Sequence, residues 1–387
     1  MRLLFWTGYR FEKWNGATET GLGGTETAII EITKGLTRYG HEVVVAGELY
    51  SSNGKIDGVD WYYINDFIEE FKDKPSDYFD AVIGINYIHF LEYMKDAGLD
   101  PKYKAFWMHN TDYEPYYKFE LFDDYNKIWN EIQTVITPSN WSAQKILDTC
   151  IADVVKETRL DWKGIVQSCP NGIDPERHNF NVAKDPNKFI WTSAVDRGLI
   201  ELLENWHKIK TVKPEATLDI YYPRYADPRG PKKSWNNYRG VLDLMEKLKP
   251  LGVSDMGSVS QDELYAAMAK ATYWLYLTHY EETFCTTALE MQMSNVLCIT
   301  SDVAALDFVV ESGIKIPKAS YETMFNQAVQ IIDKLDPGLK NKALKEAKER
   351  AKLFTWSNAV DAWNETIKFN FELGFDVKHK ELVANEN

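Results

Sequence analysis

Short runs of consecutive apolar residues recur along this chain, each followed by a stretch with helical spacing. The first series is RLLFW (2–6), EVVVA (42–46), DAVIGI (80–85), KAFWM (104–108) and TVIT (134–137). A polar stretch with two prolines, NGIDPERHNFNVAKDPNK (171–188), then intervenes. The rhythm resumes with KFIWTS (188–193), TLDIYY (217–222), YWLYL (273–277) and VLCIT (296–300). Strands that are apolar without alternation are buried on both faces, as in parallel sheets covered by helices. The pattern therefore predicts an α/β fold of two tandem doubly wound domains, divided within the polar stretch. After Pro317 the spacing is helical throughout. Its last part, TWSNAVDAWNETIKFNFELGF (355–375), is a long amphipathic segment with no strand after it, a pattern expected of a helix that braces one domain against the other.

Length agrees with that division, since 387 residues suit two domains of roughly 150–200 residues each. The formal charge of −14 argues against a nucleic-acid binder, whose phosphate contacts need a basic surface. Cys150, Cys169, Cys285 and Cys298 form no CxxC pair and no zinc spacing with histidine, which suits a reducing, cytoplasmic setting. The opening MRLLFWTGYRFEKW has an apolar run too short for a signal peptide and reads as a first strand. No apolar stretch approaches the ~20 residues that cross a bilayer, so no transmembrane segment is expected, which leaves room only for peripheral membrane contact.

Open α/β sheets bind ligands beyond the carboxyl ends of their strands, and two such sheets facing each other would create one cleft. Candidate chemistry is therefore sought at strand ends. GLGGTETAII (21–30) is not a dinucleotide fingerprint, because the third glycine position is Glu26 and about fifteen residues separate it from the first strand. Gly23 and Gly24 still present bare N–H groups at the positive end of a helix, unless the loop is merely capped by Thr25. His109 follows the strand KAFWM; a functional group and a hydrogen-bonded loop residue both fit that place. His41 and His89 read as structural. Arg197 and Gly198 stand after a strand at a helix start, where an arginine can meet an anion with the free N–H groups. Pairing of Arg197 with Asp196 or Glu201 is the plainer alternative.

The densest chemistry lies in EETFCTTALEM (281–291). Glu290 has an ordinary explanation: Thr287 and Glu290 match the Thr-x-x-Glu capping box. Glu282 has none, because it precedes a helix expected to begin near Thr286. The N–H groups around Cys285, Thr286 and Thr287 would favour an anion there. Flanking carboxylates suit hydroxyls, each accepting a charge-assisted hydrogen bond worth ~1.5–3 kcal/mol. A hydroxyl, an anion and a hydroxyl in line describe a sugar joined through diphosphate to a ribose.

Glu282 and Glu290 with Phe284 between them and an Ala-Leu-Glu ending resemble the signature of retaining glycosyltransferases of the GT-B fold, closest to family 4 (glycosyl transferases group 1). Other pieces fall in the family's order: GGTE, His109 after a strand, TPSNWSAQKIL (137–147), CPNGID (169–174) and an Arg-Gly helix start. The resemblance implies two Rossmann-like domains, an acceptor-side domain at 1–180 and a donor-side domain at 181–356. It also implies a helical segment at 357–387 packing back toward the first domain. The implied activity is transfer of a sugar, with retention, from a nucleotide-diphosphate sugar such as a UDP or GDP sugar to an acceptor hydroxyl on a glycan, glycolipid or small molecule. Implied roles are Glu282 on sugar hydroxyls, Glu290 on the ribose and Arg197 on the diphosphate. Gly23 and Gly24 would serve the phosphates and acceptor, and His109 the sugar. The Phe284 turn with Cys285, Thr286 and Thr287 would hold the donor, and Val259 would pack the base. No Asp-x-Asp motif occurs, so no metal or other cofactor is expected. Three positions depart from the family. Thr192 stands where an arginine is usual, with Arg224, Arg229, Lys232 and Lys233 as nearby cations. Thr283 and Cys285 replace glycines. A nucleotide-sugar epimerase or phosphorylase, or a non-catalytic sugar-nucleotide-binding protein, remain the alternatives.

Overall fold

The computed structural model describes residues 1–8, 14–18, 22–48, 53–110, 129, 131–152, 165–221 and 232–372. The chain clusters into two compact units. One comprises Met1–Thr18, Leu22–Gly172 and the stretch from Trp356 onward, and the other Ile173–Thr355.

The first unit runs through β1 (Arg2–Gly8), α1 (Gly24–Thr37), β2 (Glu42–Gly47), β3 (Gly54–Ile56), β4 (Val59–Tyr63), α2 (Ile64–Phe71), β5 (Ala81–Ile85), α3 (Phe90–Asp96), β6 (Tyr103–Trp107), β7 (Thr134–Thr137), α4 (Asn140–Lys145) and β8 (Val166–Ser168). Its sheet has the order β3-β4-β2-β1-β5-β6-β7-β8. Every neighbouring pair is parallel except the β3–β4 hairpin. That hairpin turns at Asp57 and Gly58, both at positive φ, the backbone an Asp-Gly turn provides. Alternate residues of β1 enter opposite cores, Leu4 and Trp6 on one face, Leu3 and Phe5 on the other.

The second unit contains β9 (Lys188–Trp191), α5 (Leu199–Val212), β10 (Thr217–Tyr221), α6 (Lys232–Leu248), β11 (Val253–Gly257), α7 (Gln261–Lys270), β12 (Tyr273–Tyr276), α8 (Thr286–Met293), β13 (Leu297–Ser301), α9 (Leu306–Val309), β14 (Ile314–Ile316), α10 (Tyr321–Asp333) and α11 (Pro337–Ala351). Its sheet is parallel throughout, in the order β11-β10-β9-β12-β13-β14. The last described helix, α12 (Trp356–Glu372), belongs to the first unit. Its Val360, Trp363 and Ile367 lie in one core with Ile29, Ile32 and Leu36 of α1. A Cβ on Gly35 would fall 2.2 Å from the Val360 side chain, so glycine there is what lets the two helices close.

These are two Rossmann-like α/β domains, the class the hydrophobic pattern predicts. In each sheet the chain builds outward one way, then returns to build the other way. The reversal lies between β1 and β5 in the first sheet and between β9 and β12 in the second. Doubly wound sheets bind ligands at such points, beyond the strands' carboxyl ends.

Candidate functional site

At the reversal in the second sheet, β9 leads into a short 3-10 turn, Val195–Arg197, and then Gly198, which begins α5 at φ 109°. A Cβ on Gly198 would sit 2.5 Å from the Leu277 carbonyl oxygen just past β12, so only glycine lets the start of α5 approach that strand so closely. The turn carries Arg197 to the carboxyl end of β12. There Arg197 Nε lies 3.7 Å from Glu282 Oε1, Nη1 donates to Asp196 Oδ2 at 2.7 Å, and the guanidinium lies 3.2 Å from the Tyr280 ring centroid. The pairing with Asp196 offered as the plainer alternative is thus present, and the contact with Glu282 is present beside it.

Glu282 lies in the loop between β12 and α8. Tyr276 Oη, from the last residue of β12, donates to Glu282 Oε1 at 2.5 Å. Burial pushes the Glu282 carboxyl above the usual carboxylate range, with Tyr276 and Arg197 pulling the other way. Burial likewise drives the Tyr276 hydroxyl well up, and the Glu282 charge adds to that.

Helix α8 begins at Thr286, as the spacing of EETFCTTALEM predicts. The residue before it, Cys285, has φ 71° and ψ 71°, a left-handed backbone that glycine adopts far more readily. The turn into the helix thus holds a cysteine in a conformation suited to glycine. Among the described residues no side chain caps this N-terminus, so the N–H groups of Thr286 and Thr287 are left to the loop and to any ligand. The capping box drawn between Thr287 and Glu290 is not formed. The cap falls at Cys285, two residues too early, and the Glu290 carboxylate accepts instead from Tyr265 Oη of α7 at 3.0 Å. Burial pushes the Glu290 carboxyl up to about 7, with Tyr265 and Arg177 pulling it down.

The Phe284 side chain is in the core, edge-on to Phe354 with centroids 6.0 Å apart, so only its main chain is available to a ligand. Val259 is half-buried between β11 and Ser260, the residue that caps α7. Of the cations named to replace the arginine missing at Thr192, Arg224 and Arg229 lie outside the described residues, as do the side chains of Lys232 and Lys233.

In the first unit, His109 is buried two residues past β6; its N–H donates to Asn86 Oδ1 at 2.7 Å and its ring lies 4.5 Å from Trp107. Asn86 itself follows β5, so the carboxyl ends of adjacent strands are tied together here. Gly23 is the exposed N-cap of α1, Gly24 its first residue, and among the described residues no side chain caps the helix, Thr25 included. His41 is buried on Asn364 at 2.9 Å, a structural role.

Tyr276, Tyr265, Tyr280 and Arg177 escaped the sequence reading. Arg177 donates to Gln261 and Asp262 at 2.7 Å each and stacks 4.9 Å over Tyr265, fixing the start of α7. Its position beside CPNGID was the one available signal. A tyrosine inside an apolar strand or helix reads only as packing. Among the described residues no group of three or more His, Cys, Asp or Glu side chains is placed to hold a metal ion, and no helix is long and apolar enough to cross a membrane.

No protein-family model and no curated protein matches this chain. Solved structures do, over nearly its whole length. A sucrose-phosphate synthase from Thermosynechococcus elongatus superposes with a TM-score of 0.72 at 15% identity, covering 96% of this chain and all of its own. An E. coli trehalose-6-phosphate structure bound with UDP-2-fluoro glucose gives 0.68 at 11% identity, covering 95% and 99%. Anabaena HepE in complex with UDP and glucose gives 0.65 at 13%, covering 95% and 99%. The likeness establishes the fold: the two Rossmann-like domains are those of GT-B.

Proposed function

We propose that this chain is a retaining glycosyltransferase, moving a sugar from a nucleotide-diphosphate sugar to an acceptor hydroxyl. The observation that carries the reading is the second unit's arrangement. Two half-buried carboxylates, Glu282 and Glu290, flank the uncapped N-terminus of α8, with Arg197 against the first. The uncapped N–H groups of Thr286 and Thr287 and the Arg197 guanidinium suit a diphosphate. Carboxylates suit the hydroxyls on either side of it. Among structures of the same fold, one holds UDP-2-fluoro glucose and another UDP and glucose, which supports a sugar nucleotide as ligand.

In this reading Glu282 accepts from hydroxyls of the transferred sugar, Glu290 from the ribose, and Val259 packs the base. The roles proposed for His109, toward a sugar, and for Gly23 and Gly24, toward phosphate and acceptor, follow from the resemblance of their motifs. The bond from the anomeric carbon to the diphosphate oxygen breaks as the acceptor oxygen bonds to the same face, through an oxocarbenium-like transition state. The acceptor proton passes to the departing phosphate oxygen. Arg197 and the α8 N–H groups stabilise the negative charge that grows there, which is where fixed donors lower a barrier most. No metal is assigned to the diphosphate, because the sequence has no Asp-x-Asp pair to hold one. Thr192 favours a second reading, an epimerase or phosphorylase on the same frame, because the usual second cation is missing.

A thermal-shift screen with UDP, GDP and ADP sugars, followed by donor-plus-acceptor assays, tests this. The right donor at 100 Kd stabilises the fold by ~2.7 kcal/mol. A new sugar nucleotide without transfer would favour the epimerase, and no response to any sugar nucleotide would overturn the reading. Transfer abolished by EDTA and restored by manganese would overturn its metal-free form.

A further inference from the structure

The two carboxylates are held in matching ways. Glu282 Oε1 accepts from Tyr276 Oη and Glu290 Oε1 from Tyr265 Oη, at 2.5 and 3.0 Å. Among the described residues no hydrogen bond reaches Oε2 of either. Each phenol comes from an element other than the carboxylate's own, and each ring is fixed. Tyr276 is fully buried, stacked on Trp274 at 4.4 Å and packed against Trp191 at 5.3 Å. Tyr265 is buried with its ring 4.3 Å from His178 and 4.9 Å from the Arg177 guanidinium. His178 is tied in turn to Ser294 Oγ at the end of α8.

We propose that Tyr276 and Tyr265 are positioning residues, each turning one carboxylate so that its second oxygen faces the donor: Tyr276 sets Glu282 for the sugar and Tyr265 sets Glu290 for the nucleotide. The assignment rests on the donor-site reading above. A phenol suits this task better than a cation would. It fixes one oxygen by a directional hydrogen bond and leaves the carboxylate its charge, hence its strength as an acceptor for a hydroxyl. Arg197 already lies 3.7 Å from that oxygen of Glu282, and a lysine or arginine in place of the phenol would neutralise the group further and compete with the ligand for it. The burial that raises both carboxyls also makes such a donor necessary, since a buried carboxylate without one tends to take up a proton.

The two residues are therefore expected to fail in different kinetic parameters. Tyr276→Phe and Tyr265→Phe keep the rings and remove only the hydroxyls. With whichever of UDP-glucose, GDP-mannose or ADP-glucose the wild type turns over, Tyr276→Phe lowers kcat ~10–100-fold with donor KM within about threefold. Tyr265→Phe raises donor KM and the Kd of the free nucleoside diphosphate ~10-fold or more, with kcat within about threefold. Packing damage alone would lower Tm without producing that split. If the wild type turns over a donor and both variants match it, or both shift the same parameter, the assignment is wrong while the glycosyltransferase reading stands. If the wild type neither binds nor turns over any of the three, the donor-site reading fails and this assignment with it.

Discussion

At the reversal point of the first sheet, Gly8 ends β1 and Asn86 follows β5, and the neighbouring β6 is followed by His109, whose main-chain N–H donates to the Asn86 amide oxygen. At the matching point of the second sheet the residues past the strand ends are Arg197, Tyr280 and Glu282, with a buried tyrosine behind the acid. The scaffold is the same but the groups on it differ, neutral donors and acceptors in one and close charges in the other. A charge held in a partly buried site acts more strongly on a polar ligand than a neutral group does, and it costs more to bury. The second unit is therefore expected to carry most of the effect on turnover, and most of the strain on stability.

Glu282→Gln is the sharpest test of that asymmetry. It keeps the shape and removes the charge, and the expected loss in kcat is ~10²–10³-fold, the scale of removing one preorganised polar group from a reacting site. Single-turnover kinetics with saturating donor would read it. A loss below tenfold would mean that the close charges of the second unit are structural.

Glu290→Gln should weaken nucleoside diphosphate binding ~10–100-fold, as for one charge-assisted hydrogen bond, measured by calorimetry. The same variant probes the cost of burial. A carboxyl with its folded-state pKa raised to about 7 keeps a proton that the unfolded chain gives up near 4.5, so its contribution to stability falls as pH rises between those values. Glutamine has no such dependence. Relative to the wild type, the variant should gain stability between pH 5 and pH 8, by up to about 3 kcal/mol. Denaturant melts at the two pH values check the sign, and a gain that shrinks with pH would contradict it.

His109→Phe addresses the other side of the comparison. The ring contact with Trp107 is retained and a neutral donor is lost, for which about tenfold in kcat/KM is expected. A loss as large as that of Glu282→Gln would erase the asymmetry and make the first unit an equal contributor.

Which parts of this were legible in the sequence follows the same physics. All the strands with continuous apolar runs, from RLLFW to VLCIT, are present within one or two residues of their expected ends. The strands that were missed are β3, β4, β8, β11 and β14, all at or next to a sheet margin. A marginal strand is covered less, so its sequence need not be apolar: VSDMG of β11 is buried only at its two ends. The hairpin of β3 and β4 did carry a signal, the Asp57-Gly58 pair. At the candidate site, Arg197 and Glu282 stood out in the sequence because a charge near a strand end is unusual, whereas Arg177 did not. Nor did Tyr276 and Tyr265, because a phenol hydroxyl shows its partner only once the chain is folded. The capping box offered as the ordinary reading of Glu290 fails because the N-cap is Cys285, two residues before Thr287, in a conformation no local pattern announces.

That cysteine supplies the smallest effect and the last comparison between the units. Gly8 ends β1 at φ 70° and Cys285 precedes α8 at φ 71°, nearly the same φ, filled by glycine in one unit and by a side chain in the other. A left-handed backbone costs a non-glycine residue roughly 1–2 kcal/mol, whereas glycine costs about 0.4–1 kcal/mol through the extra freedom of the unfolded chain. Cys285→Gly should therefore gain about 0–1.6 kcal/mol on those terms, the lower end if the half-buried thiol's packing is missed. Gly8→Ala should lose at least about 1 kcal/mol, because its Cβ would also meet the Tyr87 ring at 3.1 Å. The pair of melts, run on otherwise identical proteins, separates backbone strain from side-chain contact. If Cys285→Gly instead destabilises by more than about 1 kcal/mol, the thiol's packing outweighs the strain. If stability rises while donor KM changes, the cysteine is retained for the shape it gives the pocket, at a small cost in the turn that forms it.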